Sequence, residues 1–162
     1  MKKFELTSET KINIFGKKLF RIKALISFGD VEAGETGGWV EKEGNVNQSG
    51  DAWVYGNAEV SGNAEVSGNA KVYGNAKVSG NAWVSGDAEV YGNADYTTIH
   101  GFGTQFRTTT FFRCKDKKVR VACGCFFGTI PEFREQVKNT RKGKIAEEYL
   151  MIADLMEKHF EK

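Results

Sequence analysis

The residues able to do chemistry in this 162-residue chain crowd into its last third. His100, in Thr-Ile-His-Gly-Phe-Gly, is the one histidine placed to act as a general base, since His159 stands at the far end of a helical pattern. Cys114, Cys123 and Cys125 are the three cysteines, an odd number confined to one short stretch. That count argues against a disulfide framework, and the Cys-x-Cys pair has no histidine at finger-like spacing. The cysteines are therefore read as small buried strand residues, with no metal and no cofactor expected.

Arginine is the more suggestive residue type. Arg107, Thr109, Phe111 and Arg113 alternate along one strand, and Arg120 is expected beside them on the next, with small Ala122 and Gly124 leaving space between. Guanidinium forks, hydroxyls and an exposed ring suit a phosphate-bearing or nucleotide-like ligand. The competing reading is a solvated sheet face whose arginines pair with acids of the helices that follow, and no phosphate-loop pattern decides between the two.

These residues need elements to hold them. Phe106–Cys114 and Val119–Cys125 read as a hairpin about Asp116-Lys117, with Cys114 opposite Val119, Phe112 opposite Val121 and Thr110 opposite Cys123. In that register Phe106, Thr108, Thr110, Phe112, Val119, Val121, Cys123 and Cys125 form the buried face. Thr129-Ile-Pro-Glu132 has the form of a capping box with an early proline and predicts a helix to about Asn139. A second helix is predicted over about 144–160, burying Ile145, Tyr149, Ile152, Met156 and Phe160 at helical spacing.

Upstream, the chain repeats one six-residue phrase eight times from Gly50 to Thr97: Gly-[Asn/Asp]-Ala-x-[Val/Tyr]-[Ser/Tyr/Thr]. A short exact period predicts a solenoid. Ala and Val lie two residues apart, as in Ala52 and Val54, so both face one side of a short strand while the residue between them faces out. Gly-Asn or Gly-Asp supplies the corner. Tyrosine fills the last position at Tyr55, Tyr73 and Tyr91, every 18 residues, which predicts three sides per coil and a tyrosine stack. In the same register Glu59 lies over Lys77 and then Asp95, and Trp53 over Lys71 and then Glu89. The tyrosine column would expose an apolar stripe, and so predicts an oligomer contact.

Small residue and aliphatic at six-residue spacing resembles the hexapeptide repeat of left-handed parallel β-helix proteins. More closely, Leu19-Phe-Arg-Ile-Lys-Ala-Leu-Ile-Ser-Phe-Gly-Asp-Val, then Gly37-Gly-Trp-Val-Glu and the repeats, resembles the YdcK-like hexapeptide-repeat proteins of bacteria and their phages. The resemblance implies the left hand and a trimer. It also implies either an acyltransferase using coenzyme A, with a histidine base between subunits, or a small phage accessory protein that holds a host nucleotide signal or blocks a host factor. The eight phrases run without insertion and contain no histidine, which favours a frame over an acyltransferase.

The expected architecture is mainly β: an N-terminal hairpin cap (1–37), a β-helix of three six-residue sides per coil (38–97) and a C-terminal α+β cap (98–162) of hairpin and two helices. The N-terminal hairpin is expected about Gly16-Lys17, and the glycines at 38, 44 and 50 suggest degenerate first turns. Caps are expected because a solenoid exposes strand edges at both ends. Residues 38–97 carry net charge −5 and residues 98–162 carry +5, so an anionic ligand would be drawn to the C-terminal part. The acidic rod argues against a nucleic-acid duplex as partner. No segment has the apolar length of a membrane helix, which predicts a cytoplasmic protein with no membrane partner. The function expected is non-catalytic binding of an anionic, nucleotide-like ligand or a host protein by the C-terminal region of a homo-oligomer, with a purely structural oligomerisation element as a further reading.

Overall fold

The computed structural model describes residues 1–161. The chain is mainly β, with two helices at its C-terminal end. An antiparallel pair opens it, β1 (Phe4–Ile12) with β2 (Lys18–Ala24), and β3 (Thr36–Val40) pairs antiparallel with β2. The turn between β1 and β2 is closed by the Asn13 carboxamide oxygen, which accepts from the amides of Phe15 and Lys17 at 2.9 Å each.

Seven two-residue strands follow at six-residue intervals: β4 (Trp53–Val54), β5 (Glu59–Val60), β6 (Glu65–Val66), β7 (Lys71–Val72), β8 (Lys77–Val78), β9 (Trp83–Val84) and β10 (Glu89–Val90). They pair in parallel with the strand 18 residues away, giving the ladders β4-β7-β10, β3-β5-β8 and β6-β9. Trp53 thus sits beside Lys71 and Lys71 beside Glu89, while Glu59 sits beside Lys77, as the 18-residue register requires. The corner glycines from Gly50 to Gly86 all have φ between 59° and 73°, the left-handed region in which a side chain is strained. Every phrase alanine from Ala52 to Ala88 and every valine from Val54 to Val90 is buried in one continuous core. Tyr55, Tyr73 and Tyr91 stack at centroid separations of 4.6 Å.

Two departures from strict repetition matter. Trp39 pairs with Glu59 and Val46 with Val66, a 20-residue step, because two extra residues stand between Val46 and Val54. One of the residues in that enlarged corner, Gln48, grips the N-terminal strand: its Oε1 accepts from the amides of Lys3 (2.7 Å) and Phe4 (3.2 Å). The eighth phrase leaves the pattern altogether. Gly92 is extended at φ −166°, Asn93–Asp95 form a 3-10 turn, and Ala94 is exposed. Asp95 therefore does not continue the column above Lys77; its carboxylate accepts instead from the Tyr91 amide and from Arg113 Nε.

The N-terminal segment lies against the repeat region. Trp53, expected to face outward into solvent, is fully buried between the rings of Phe4 (5.8 Å) and Phe28 (5.3 Å). Trp39 is covered in the same way by Lys11 and Arg21, which sit 4.6 and 4.4 Å from its ring. Three side-chain donors also reach carbonyls at successive corners: Lys3 Nζ bonds Gly50 and Ala52, Arg21 Nη1 bonds Gly37 and Gly56, and Asn45 Nδ2 bonds Gly62 and Ala64. Buried carbonyls without partners are costly, and these three residues remove that cost at the start of the repeats.

At the other end, β11 (Tyr96–Phe102), β12 (Arg107–Arg113), β13 (Val119–Cys123) and β14 (Phe126–Thr129) form an antiparallel sheet in that order. Helices α1 (Ile130–Thr140) and α2 (Gly143–His159) pack on one face of it, and the repeat region packs on the other. Thr129 caps α1: its Oγ1 accepts from the Glu132 amide while Glu132 Oε1 accepts from the Thr129 amide, the box read from the sequence. Among the described residues no helix is long and apolar enough to cross a membrane.

Candidate functional site

The pairing of β12 with β13 differs by one residue from the sequence expectation, and that shift rearranges the candidate surface. Arg113 lies opposite Val119, Phe112 opposite Arg120, Phe111 opposite Val121 and Thr109 opposite Cys123. The cause is the turn. Cys114 N donates to the Lys118 carbonyl at 2.9 Å, leaving a three-residue loop closed by Lys117 at φ 70°, in place of an even-numbered loop about Asp116-Lys117. A one-residue change sends every side chain of a strand to the other face.

The expected common face of five residues therefore does not form. Arg107, Thr109, Phe111 and Arg113 share the helix-side face, but Arg120 and Ala122 lie on the other with Phe112 and Cys114. Nor is the helix-side face open. Phe111 is fully buried against Phe133 and Val137, and Thr109 is buried with its hydroxyl donating to Cys123 Sγ at 3.1 Å. Arg113 is held by Asp95 at 3.1 Å and lies over the Phe160 ring, while Arg120 is held by Asp116 at 2.8 Å, which raises its pKa and lowers that of Asp116. His100 is exposed on β11, its Nδ1 2.8 Å from Thr108 Oγ1, and away from the cleft described next. Tyr55 and Tyr73 are half-buried and Tyr91 is half-exposed at 51%.

That face opens at both ends: at the Arg113 end onto a wide, shallow hollow of about 680 Å³ that Glu157 and Glu161 also line, and more narrowly at the Arg107 end. There a cleft of about 90 Å³ lies between the sheet and the two helices. Arg107 and Arg141 stand on its rim, with Thr104, Gln105, Gln136 and Thr140, and its apolar wall includes Phe126 and Phe133. Cys123, Cys125 and Tyr149 also line it, and no acidic residue does. Gly124 makes the β13–β14 turn beside it at φ 61°, a left-handed conformation that strains any side chain, and the Arg107 guanidinium lies over the space where a Cβ would stand. Burial, then the neighbouring Cys123, pushes the Tyr149 hydroxyl above its ordinary range, so it stays protonated and able to donate.

Charge distinguishes this cleft from the rest of the molecule. Of the six arginines, Arg21, Arg113, Arg120 and Arg134 each have a carboxylate within ion-pair distance. Among the described residues Arg107 and Arg141 have none, and both line this one cleft. The Arg141 guanidinium makes one weak bond among the described residues, to the carbonyl of Thr140 at 3.3 Å. Sequence reading missed Arg141 because it sits in the turn between the helices, in Arg-Lys-Gly-Lys, where a basic run looks like an ordinary helix terminus. The sequence predicts all three cysteines as small buried strand residues, and the structure departs from that at Cys123 and Cys125. Cys114 is buried, and burial pushes its thiol up to about 11, whereas Cys123 is half-buried and Cys125, in the turn, is exposed.

No protein-family model matches this chain, and no curated protein sequence matches it.

Proposed function

We propose that this chain is a non-catalytic binding protein in which a left-handed parallel β-helix of the hexapeptide-repeat kind, resembling the YdcK-like proteins, frames a C-terminal unit that recognises an anionic ligand. One observation carries the reading: the two arginines that have no carboxylate partner among the described residues line one cleft, and no acidic residue lines it with them. An unpaired guanidinium beside a cavity is a vacant bidentate site for an oxyanion. The net charge of +5 over residues 98–162 adds long-range attraction to it.

The frame half of the proposal rests on three parallel ladders, of 18-residue step throughout the repeats and 20 where β3 joins β5, enclosing one Ala and Val core. Its part is mechanical. The last strands bind the C-terminal sheet through the amide of Trp83, which donates to Thr110 Oγ1, and the amide of Lys115, which donates to the Asp87 carbonyl. The sheet that carries Arg107 is thereby fixed on a stiff support, as a preformed site needs. Assembly as a homotrimer, with the half-exposed Tyr91 at the open end of the tyrosine column in the contact, belongs to the same proposal.

Native mass spectrometry of freshly purified protein, followed by calorimetric titration with inorganic phosphate, sulfate and nucleoside mono- and diphosphates, tests it. Binding of at least one anion, weakened by salt, is the expected result. No bound ligand and flat titrations throughout would sink the reading.

A further inference from the structure

The size of the cleft narrows the ligand further, and this step rests on the anion-binding reading above. A nucleotide-sized ligand needs a cavity of several hundred Å³, in the range of roughly 300–1,000 Å³. This cleft holds about 90 Å³, so a whole nucleotide cannot be enclosed. A cleft of that size admits a small ionic group such as one tetrahedral oxyanion, and not a base and sugar besides. Its chemistry agrees with its size: two guanidiniums match a doubly charged group, and Thr104, Gln105, Gln136 and Thr140 add neutral polar contacts.

We propose that the cleft between Arg107 and Arg141 is a site for a single phosphate dianion, either inorganic phosphate or the terminal group of a phosphomonoester whose organic part stays outside or lies along Phe126. The thiols of Cys123 and Cys125 line the same cleft, so a bound phosphate shields them. Cys114 does not interfere with that readout, being buried away from the cleft.

The test is alkylation by iodoacetamide at pH 8, followed residue by residue by peptide mass spectrometry, with and without inorganic phosphate, phenyl phosphate, sulfate or acetate. Calorimetry with the same anions runs beside it. Expected is a several-fold slowing at Cys123 and Cys125 by phosphate and little by acetate, with the protection ratio falling to one in an Arg107→Gln/Arg141→Gln variant. Lys144→Gln, which removes a nearby charge outside the cleft, should keep the protection. Both arginines are exposed, so the double variant should fold, and circular dichroism checks that it does. Equal protection by phosphate and phenyl phosphate supports the site and indicates free phosphate, whereas stronger protection by phenyl phosphate supports it and indicates a monoester. Anion binding by calorimetry with no protection of either thiol, or protection that survives the double variant, overturns the cleft assignment while leaving an anion-binding protein. No binding by any anion overturns both.

Discussion

The ammonium of Lys3 donates to the carbonyl of Ala52 across 2.8 Å, from a position that is only 1% exposed. This contact ties the third residue of the chain to the first full repeat. Its electrostatics make a measurable signature, because burial lowers the Lys3 pKa to about 8, against the smaller opposing pull of Asp51.

Between pH 8 and the ordinary lysine value of 10.5, the unfolded chain keeps the Lys3 proton and the folded chain has released it. Stability should therefore rise with pH in that window, at up to about 1.4 kcal/mol per pH unit. Below pH 8 both states hold the proton and the contribution is level. The raised tyrosines, Tyr55 at about 12 among them, bring the opposite slope above pH 10, so the clean window runs from 8 to 10. Urea midpoints measured across it should climb in the native chain and lose most of that climb in Lys3→Met.

The tyrosine column predicts a graded cost. Tyr73 stacks on both neighbours, whereas Tyr91 stacks only on Tyr73. Each stacked pair contributes about 0.5–1.5 kcal/mol beyond area burial, so Tyr73→Ser should cost about 1–3 kcal/mol and Tyr91→Ser about half of that. Serine already occupies this position in other phrases, so the backbone tolerates it. Equal losses from the two substitutions, in chemical denaturation, would mean that stacking is not the source.

Two corner glycines separate backbone strain from crowding. Gly80 and Gly68 have nearly the same φ, 68° and 65°, but a Cβ on Gly80 meets nothing within 4 Å whereas one on Gly68 would lie 2.9 Å from the amide nitrogen of Gly86. Gly80→Ala should cost about 1–2 kcal/mol for the left-handed conformation alone. Gly68→Ala should cost clearly more, because the obstacle is backbone of the corner stacked next to it. Thermal unfolding of the two variants reads the difference directly.

Phe111 distinguishes the observed sheet register from the one expected. Buried between the sheet and α1, with the Phe133 ring 6.3 Å away, it should cost about 3–5 kcal/mol on replacement by alanine. A side chain on an open strand face would cost little. The unfolding midpoint of Phe111→Ala decides between them.

Thiol titration at neutral pH should count in steps. Cys125 should react first and Cys123 more slowly, while Cys114, buried and raised to about 11, should react only on unfolding. Three fast thiols in the folded protein would contradict the packing of the C-terminal sheet on the repeat region.

Much of the fold was legible because its signals are local and repeated. A six-residue phrase with Ala and Val two apart can bury those side chains only on one side, and tyrosine every 18 residues marks which strands adjoin. The cap of α1 was equally readable, since Thr129 and Glu132 satisfy each other across one turn. The candidate site was legible in part. Arg107 was found through strand alternation, but Arg141 meets it only after α1 has run its length and returned the chain to the same cleft.

By itself the sequence determined the period, the inward residues, the positions of the two helices and the concentration of positive charge after residue 98. Only the tertiary structure decided which outward residues stay outward, as Trp53 disappears beneath Phe4 and Phe28 through contacts made across more than twenty residues of chain. It also decided the β12–β13 register, because one residue in the left-handed conformation at Lys117 changes the loop length, and with it the face on which every arginine of the hairpin lies. Periodicity reports what each segment can bury. What covers it, and which charges are left without partners, depends on distant parts of the chain arriving together.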